Sequence, residues 1–123
     1  MEHGRLSDQE ITTGLSTRPG WRRDGDAIVR EFTFGSFPDA IAFTTRLAFE
    51  AEAADHHPDL GINYKRVTVR WSTHDAGGVT DKDLAGATQA DAVAQRFLKW
   101  ADRAAGDRPQ VRRRSRSRCA NLP

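Results

Sequence analysis

Hydrophobic residues follow two different spacings along this 123-residue chain. Over residues 37–51 they recur every three or four positions, which places them on one face of a helix. Over residues 67–71 apolar and polar residues alternate, as in a strand with one buried face, and residues 27–34 and 60–62 repeat this pattern. The predicted buried face of the helix consists of Phe37, Ile41, Thr44, Leu47, Ala48 and Ala51.

Three helices are predicted from the residues that precede them. Each start offers a side-chain oxygen that can accept a backbone N–H bond, supplied by Ser7, Ser36 and Thr80. In the first and third helices an acidic residue three positions later completes a capping box. We expect a short first helix, a second helix that runs to about Asp55, and a third that runs to about Arg103.

Turn residues connect the predicted strands in pairs. Asp24-Gly25 lies between two strand-like segments, which is a strong hairpin signal, and residues 63–66 form the second turn. The resulting order is α-β-β-α-β-β-α. This order predicts an α+β fold in which a four-stranded antiparallel sheet carries three helices on one face.

Length and charge divide the chain into two parts. A chain of this length, 37% hydrophobic, can bury one modest core, so we expect one domain over residues 1–104. Residues 105–123 form an arginine-rich tail with the composition of disorder. The net charge of +2 is the sum of −4 over residues 1–102 and +6 over residues 103–123. The mildly acidic body gives no reason to expect that the folded domain binds nucleic acid.

Cysteine content and hydropathy bear on the compartment. The single cysteine, Cys119, excludes an intrachain disulfide and favours a reducing environment. No apolar run approaches the ~20 residues that a membrane span needs. We therefore expect a cytoplasmic protein without a membrane anchor.

Titratable residues concentrate where the second helix must stop. Glu52 and His56 are four residues apart, so on a helix the carboxylate could orient the imidazole, and Pro58 forces the helix to end near His57. His74 follows the last predicted strand. Imidazole titrates near neutral pH, so these three histidines are candidates for general acid/base catalysis. The alternative is that they are ordinary surface or capping residues.

Other sites are weaker candidates. The same three histidines with a carboxylate could bind a metal ion, but adjacent histidines rarely chelate one ion, so a metal site is the weaker hypothesis. Cys119 lacks a fixed base in its tail, and Gly77-Gly78 lacks the lysine of a phosphate-binding loop. The arginine-rich tail could bind RNA or an acidic partner, or have no specific function.

Seven positions match, in residue type and in spacing, the signature of the pterin-4a-carbinolamine dehydratases: Glu52, His56, His57, Pro58, Tyr64, His74 and Asp83. The chain resembles this family over roughly residues 5–100, and further similar positions are Leu6-Ser7, Gly20-Trp21, Phe32-x-Phe34, Thr45-Arg46 and Ser72-Thr73-His74. Ala76 departs from the cysteine of the vertebrate enzymes. That cysteine is not one of the family's acid/base groups.

The resemblance implies dehydration of 4a-hydroxytetrahydropterin to quinonoid dihydropterin and water, the step of tetrahydrobiopterin recycling that follows an aromatic amino acid hydroxylase. It implies no metal or organic cofactor. His56, His57 and His74 would be catalytic, with Glu52 as an orienting group and Asp83 near the rim of the pocket. The supporting or substrate-binding residues that it implies are Glu52, Asp55, Pro58, Ser72, Thr73 and Asp83.

The resemblance also implies partners. Family members associate as homodimers or homotetramers, and a hydroxylase would be the pathway partner of an enzyme of this kind. A second hypothesis is an interaction protein (a scaffold, an assembly factor or a transcriptional coactivator) that keeps the fold without the chemistry. The presence of all three histidines favours the enzyme.

Overall fold

The computed structural model describes residues 4–98 of the chain. A short 3-10 turn, His74–Ala76, lies between the last strand and the last helix. The helices are α1 (Asp8–Ser16), α2 (Phe37–Ala54) and α3 (Asp81–Gln95), and the strands are β1 (Arg22–Asp24), β2 (Ala27–Thr33), β3 (Asp59–Asn63) and β4 (Arg66–Trp71). None of these helices is long and apolar enough to cross a bilayer.

The four strands form one antiparallel sheet in the order β1-β2-β4-β3. Two tight hairpins connect the strand pairs, and each places one residue in the left-handed region, Gly25 at φ 64° and Tyr64 at φ 58°. The predicted α+β class, with a four-stranded antiparallel sheet and three helices on one face, is confirmed. Helix α2 lies in the connection between the two hairpins, whereas α1 precedes β1 and α3 follows β4.

The core lies between the helices and one face of the sheet. Alternate residues of the two central strands point into it, and the large ones are Ile28, Phe32, Val67, Val69 and Trp71. The register places polar residues on the opposite face, where Glu31 pairs with Thr68, and Arg70 bonds Asp24 at 2.7 Å. This face is mostly polar, although Ala27 and Val29 of β2 also lie on it and are buried.

The buried face of α2 differs from the predicted one. Leu47 and Ala51 are buried as expected, but the remaining contacts with the core come from Ala40 and Phe43, while Phe37 and Ile41 are exposed. The helix carries two apolar stripes. Phe43 belongs to the stripe that packs against Phe32 of β2 and Phe34 just after it. These aromatic contacts decide which stripe is buried.

The third helix is shorter than predicted. It ends at Gln95, where the N–H groups of Arg96 and Phe97 bond carbonyls three residues back, so the last turn is tighter than an α-helix. Phe97 and Leu98 then pack against the core from this turn. The predicted extension beyond residue 98 and the tail at 105–123 lie outside the described residues.

Arg30, which interrupts the apolar face of β2, is accommodated by a carboxylate. Its guanidinium donates to Asp91 of α3 at 2.9 Å and lies 4.5 Å from the centre of the Phe32 ring. The indole N–H of Trp21 donates to both oxygens of Asp91, at 3.0 and 3.1 Å. This cluster connects β2 and the segment before β1 to α3.

Candidate active site

The C-terminus of α2 directs the chain toward the site. Asp55 adopts the left-handed conformation, with φ 55° and ψ 41°. Its N–H donates to the carbonyl of Glu52, and the N–H of His56 donates to the carbonyl of Ala51, both at 3.1 Å. These two bonds form a Schellman motif, which satisfies helix carbonyls and turns the chain out of the helix.

His56 therefore leaves the helix, and its partner is not Glu52. Its Nε2 lies 2.6 Å from Oδ1 of Asp83, the third residue of α3, and the exposed fractions of the two side chains are 12% and 0%. The expected orientation of His56 by Glu52 is wrong, because the left-handed Asp55 breaks the helical spacing before His56 is reached. Asp83 was expected near the rim of the pocket, but it lies fully buried behind His56.

The Asp83 carboxylate is held by three donors. Its Oδ2 accepts from the hydroxyl of Thr73 at 2.8 Å and from the backbone N–H of Thr80 at 2.9 Å. The Thr73 and Thr80 hydroxyls are 2.8 Å apart, and the latter also accepts from the N–H of Lys82. Because a carboxylate only accepts hydrogen bonds, this contact fits the His56 tautomer with its proton on Nε2, in which Nδ1 has the free lone pair.

One face of the His56 ring is covered by an indole. The rings of His56 and Trp71 are stacked, with centroids 5.4 Å apart and an angle of 18° between their planes. Trp71 ends β4 and is 2% exposed. His56 is thus restrained at its edge by Asp83 and at its face by Trp71.

His57 has a carboxylate partner of its own, at the surface. Its Nε2 lies 2.8 Å from Oε1 of Glu52, and the exposed fractions of the two side chains are 58% and 79%. Solvent screens such an exposed pair, so it holds the imidazole much less firmly than Asp83 holds His56. Residues 4–98 thus contain two His-carboxylate pairs of very different burial.

The three histidines surround one cavity of about 270 Å³. His74 reaches it from the 3-10 turn and has an exposed side chain. This volume is close to the lower end of the ~300–1,000 Å³ typical of small-molecule sites. The residues that line the cavity are Asp55, His56, His57, Ser72, Thr73, His74, Asp75 and Lys82.

The remaining predicted site residues occupy different positions. Ser72 lines the cavity, and its hydroxyl donates to the carbonyl of Asp26 at 2.8 Å, which joins the site to the first hairpin. Pro58 is half-buried next to His57 and does not line the cavity. Glu52 reaches the site only through His57.

Sequence reasoning missed four residues of this region. Lys82 and Asp75 line the cavity, Trp71 supports His56, and Thr80 supports Asp83. The capping box of α3 was a usable signal for Thr80 and Lys82, because it places both beside Asp83. No pattern in the sequence indicated that Trp71 would stack on His56.

Ligands for a metal ion are not clustered. Within residues 4–98 no three His, Cys, Asp or Glu side chains are grouped as the coordination of a metal ion requires.

Comparison with known proteins shows which family this chain is similar to. The sequence profile of a family described as pterin 4 alpha carbinolamine dehydratase matches residues 4–93. The chain belongs to this family. A relative from Chloroflexus aurantiacus, provisionally named as such a dehydratase, is 52% identical over 89 residues, which cover 72% of this chain and 96% of that protein. A relative from Mycobacteroides abscessus with the same name is 48% identical over 86 residues, or 70% and 92% of the two chains.

Two solved structures resemble this pterin dehydratase family member. A protein from Brucella melitensis, described as a transcriptional coactivator/pterin dehydratase, superposes with a TM-score of 0.72 at 36% identity and covers 74% of this chain and 99% of its own. A pterin dehydratase-like protein described as a RuBisCO assembly factor of the alpha-carboxysome has a TM-score of 0.51 at 24% identity, over 60% of this chain and 86% of its own. At that identity the second similarity concerns the fold alone. The name that the sequence relatives share describes a hydro-lyase.

Proposed function

We propose that this protein dehydrates a 4a-hydroxytetrahydropterin to quinonoid dihydropterin and water, by general acid/base catalysis with histidine. The observation that carries the proposal is the convergence of His56, His57 and His74 on one cavity, in a chain that belongs to the dehydratase family. Such an enzyme consumes the carbinolamine that an aromatic amino acid hydroxylase releases. A hydroxylase is therefore the expected pathway partner.

The reaction requires two proton movements. An acid protonates the hydroxyl group as the C4a–O bond breaks and water leaves, and a base removes the N5 proton as the C=N bond forms. The hydroxyl group gains one proton and N5 loses one. The net reaction therefore consumes no proton and involves no oxidant or reductant. Imidazole can serve in either role near neutral pH.

We assign the base to His56. Asp83 accepts from Nε2, which leaves Nδ1 to take the N5 proton, and the buried carboxylate stabilises the imidazolium that forms. His57 and His74 are the candidates for the acid, because both border the cavity and are exposed enough to be reprotonated from solvent.

The test is an assay of carbinolamine dehydration with the parent, His56→Ala, His74→Ala and the double variant, each with and without a chelator. Each single loss should lower kcat by roughly 100-fold, the low end of the usual acid/base contribution, since water or a neighbouring imidazole can partly substitute. The double variant should be slower than either single variant. An inactive parent would favour the interaction-protein hypothesis, and loss of activity with chelator would contradict metal-free catalysis.

We also propose that the protein is a homodimer or homotetramer associated through the edge of β3. All five residues of this edge strand are exposed, and its apolar side chains Leu60 and Ile62 are 36% and 41% exposed. Exposed edge strands readily pair with another chain, and these apolar groups would be covered by doing so. Light scattering should give a multiple of the monomer mass for the parent and monomers for Leu60→Lys/Ile62→Lys. Arg22→Glu on the opposite edge is the matched control and should keep the parent mass.

A further inference from the structure

We propose that Trp71 and Gly86 are positioning residues for His56. In this arrangement Gly86 of α3 leaves the space in which the Trp71 indole lies flat against the imidazole. The inference deepens the proposed function, on which its kinetic readout rests. Neither residue lines the histidine cavity, so both act through His56.

The contact between Gly86 and Trp71 is too close for any side chain at position 86. A Cβ atom there would lie 2.6–2.7 Å from three atoms of the indole, Cε2, Cδ2 and Cζ2. The indole is buried between the sheet and α3 and is too rigid to yield as the end of a flexible side chain would. Glycine inside a helix is unfavourable relative to alanine. The close approach of Trp71 explains why position 86 is nevertheless a glycine.

Packing alone does not account for an indole at position 71. Its Nε1–H is buried and has no hydrogen-bond partner among the described residues, which costs free energy that a leucine or phenylalanine would avoid. Trp21, in contrast, satisfies its N–H on Asp91. What the Trp71 indole provides is a wide planar face, and that face lies against His56.

Space next to His56 explains why the ring needs this support. A second cavity, of about 170 Å³, lies between α2 and α3, and both His56 and Trp71 border it. Its other walls are mostly apolar, among them Leu47 and Ala51. Without the indole this space would be larger, and the imidazole could rotate into it and away from Asp83.

The experiment compares substitutions at the two positions in the full chain. Trp71→Leu should lower kcat about 10- to 100-fold with little change in KM, because misplacing a reacting group by about 1 Å costs this much. Trp71→Phe keeps a planar face and should stay within about threefold of the parent on the same scale. Gly86→Ala should resemble Trp71→Leu, since the new methyl group displaces the indole.

The double variant Gly86→Ala/Trp71→Leu separates positioning from packing. It removes the steric conflict, so its thermal stability should recover relative to Gly86→Ala, while its kcat should remain low because the planar face is still missing. Recovery of both stability and kcat would show that Trp71 only fills space and would overturn the proposal.

Two matched controls lie away from the site. Gly14→Ala also introduces a methyl group into a close helix contact, 2.7 Å from Cδ1 of Leu84, and Trp21→Leu also removes a buried indole. Trp21→Leu should lower thermal stability, whereas the flexible end of Leu84 can yield to the new methyl group of Gly14→Ala. Both should leave kcat at the parent value. A loss of kcat as large as that of Trp71→Leu in these controls would show that general destabilisation is sufficient.

A readout without turnover keeps this inference separate from the proposed function. In ¹⁵N-imidazole NMR spectra of the parent, the Nε2–H of His56 should be slow to exchange with solvent, since it is bonded to a buried carboxylate. Trp71→Leu should accelerate the exchange, and Trp21→Leu should not. If the parent does not dehydrate the carbinolamine, the proposed function fails and this exchange rate still decides the role of Trp71. An unchanged exchange rate in Trp71→Leu would refute the positioning role of Trp71.

Discussion

At the scale of single residues, burial distinguishes the two His-carboxylate pairs. Their N···O distances are similar, 2.6 Å for His56 with Asp83 and 2.8 Å for His57 with Glu52. The exposed pair contributes at most about 1 kcal/mol, because water and salt screen it. Removing one partner of a buried pair costs about 3–5 kcal/mol, because the remaining charge or donor is left unsatisfied. The pair in the interior therefore fixes its imidazole, and the pair at the surface does not.

Replacing each carboxylate by an amide tests this difference. Asp83→Asn should lower kcat by about 100-fold, since an amide cannot stabilise the imidazolium and one of its two polar atoms is a donor. Glu52→Gln, the matched control at the exposed pair, should lower kcat by less than about threefold. Steady-state kinetics with thermal denaturation in parallel checks both. Equal effects of the two substitutions would contradict the assigned importance of burial.

At the scale of elements, two capping boxes start helices, and one of them also belongs to the site. In α1, Ser7 and Glu10 exchange bonds of 3.1 and 2.8 Å at the surface. In α3, Thr80 and Asp83 make the equivalent exchange in the interior, and the same carboxylate holds His56. The start of α3 therefore fixes the proposed catalytic base, His56, through the geometry of an ordinary helix cap.

Removing each cap separates the two roles. Ser7→Ala and Thr80→Ala should each lower the free energy of unfolding by about 1 kcal/mol, the usual cost of a lost cap. Only Thr80→Ala should also lower kcat, because its hydroxyl supports Thr73 and so Asp83. Thr80→Ser keeps the hydroxyl and should restore most of the lost kcat. Urea denaturation and kinetics provide the measurements, and loss of kcat in Ser7→Ala would count against a role specific to the α3 cap.

At the scale of the whole molecule, Asp91 connects elements that are distant in sequence. Desolvation by burial raises the pKa of its carboxyl above the ordinary 3.8 and outweighs the hydrogen bonds from Trp21 and Arg30, which lower it. Asp8 has the opposite behaviour, because the hydrogen bond from Arg23 lowers its pKa. The two carboxyls therefore contribute to the pH dependence of stability with opposite signs.

The sign of the Asp91 contribution follows from proton binding. Between pH 3.8 and its raised pKa, the folded chain keeps the Asp91 proton that the unfolded chain has lost, so stability falls as pH rises through this interval. The unfolding free energy of the parent minus that of Asp91→Asn should therefore decrease over this interval and level off above it. Urea denaturation at a series of pH values measures the difference.

Asp8→Asn is the control of opposite sign. The Asp8 contribution is present above pH 3.8 and is lost as pH falls through the lowered pKa, so the corresponding difference should increase with pH. Since Asp8 pairs with Arg23 at the surface, added salt should reduce this pH-dependent difference. A difference for Asp91 that rises with pH would contradict the assignment of desolvation as the dominant cause.

The sequence by itself determined the local structure and the family. Caps, turn residues and strand alternation depend on neighbours a few positions away, and the starts of the helices and the two hairpins were predicted from them. The spacing of the histidines and acidic residues indicated the dehydratase family.

The tertiary structure decided which groups meet. His56 and Asp83 are 27 residues apart, and Arg30 and Asp91 are 61 apart, so no local spacing could pair them. The left-handed Asp55 ended a helical spacing that would have joined Glu52 to His56. The contact of Phe43 with the aromatic rings of the sheet decided which apolar stripe of α2 is buried. The close approach of the Trp71 indole decided that position 86 of α3 has no room for a side chain. Contacts of this kind are set by close packing between distant segments, which exists only after the chain has folded.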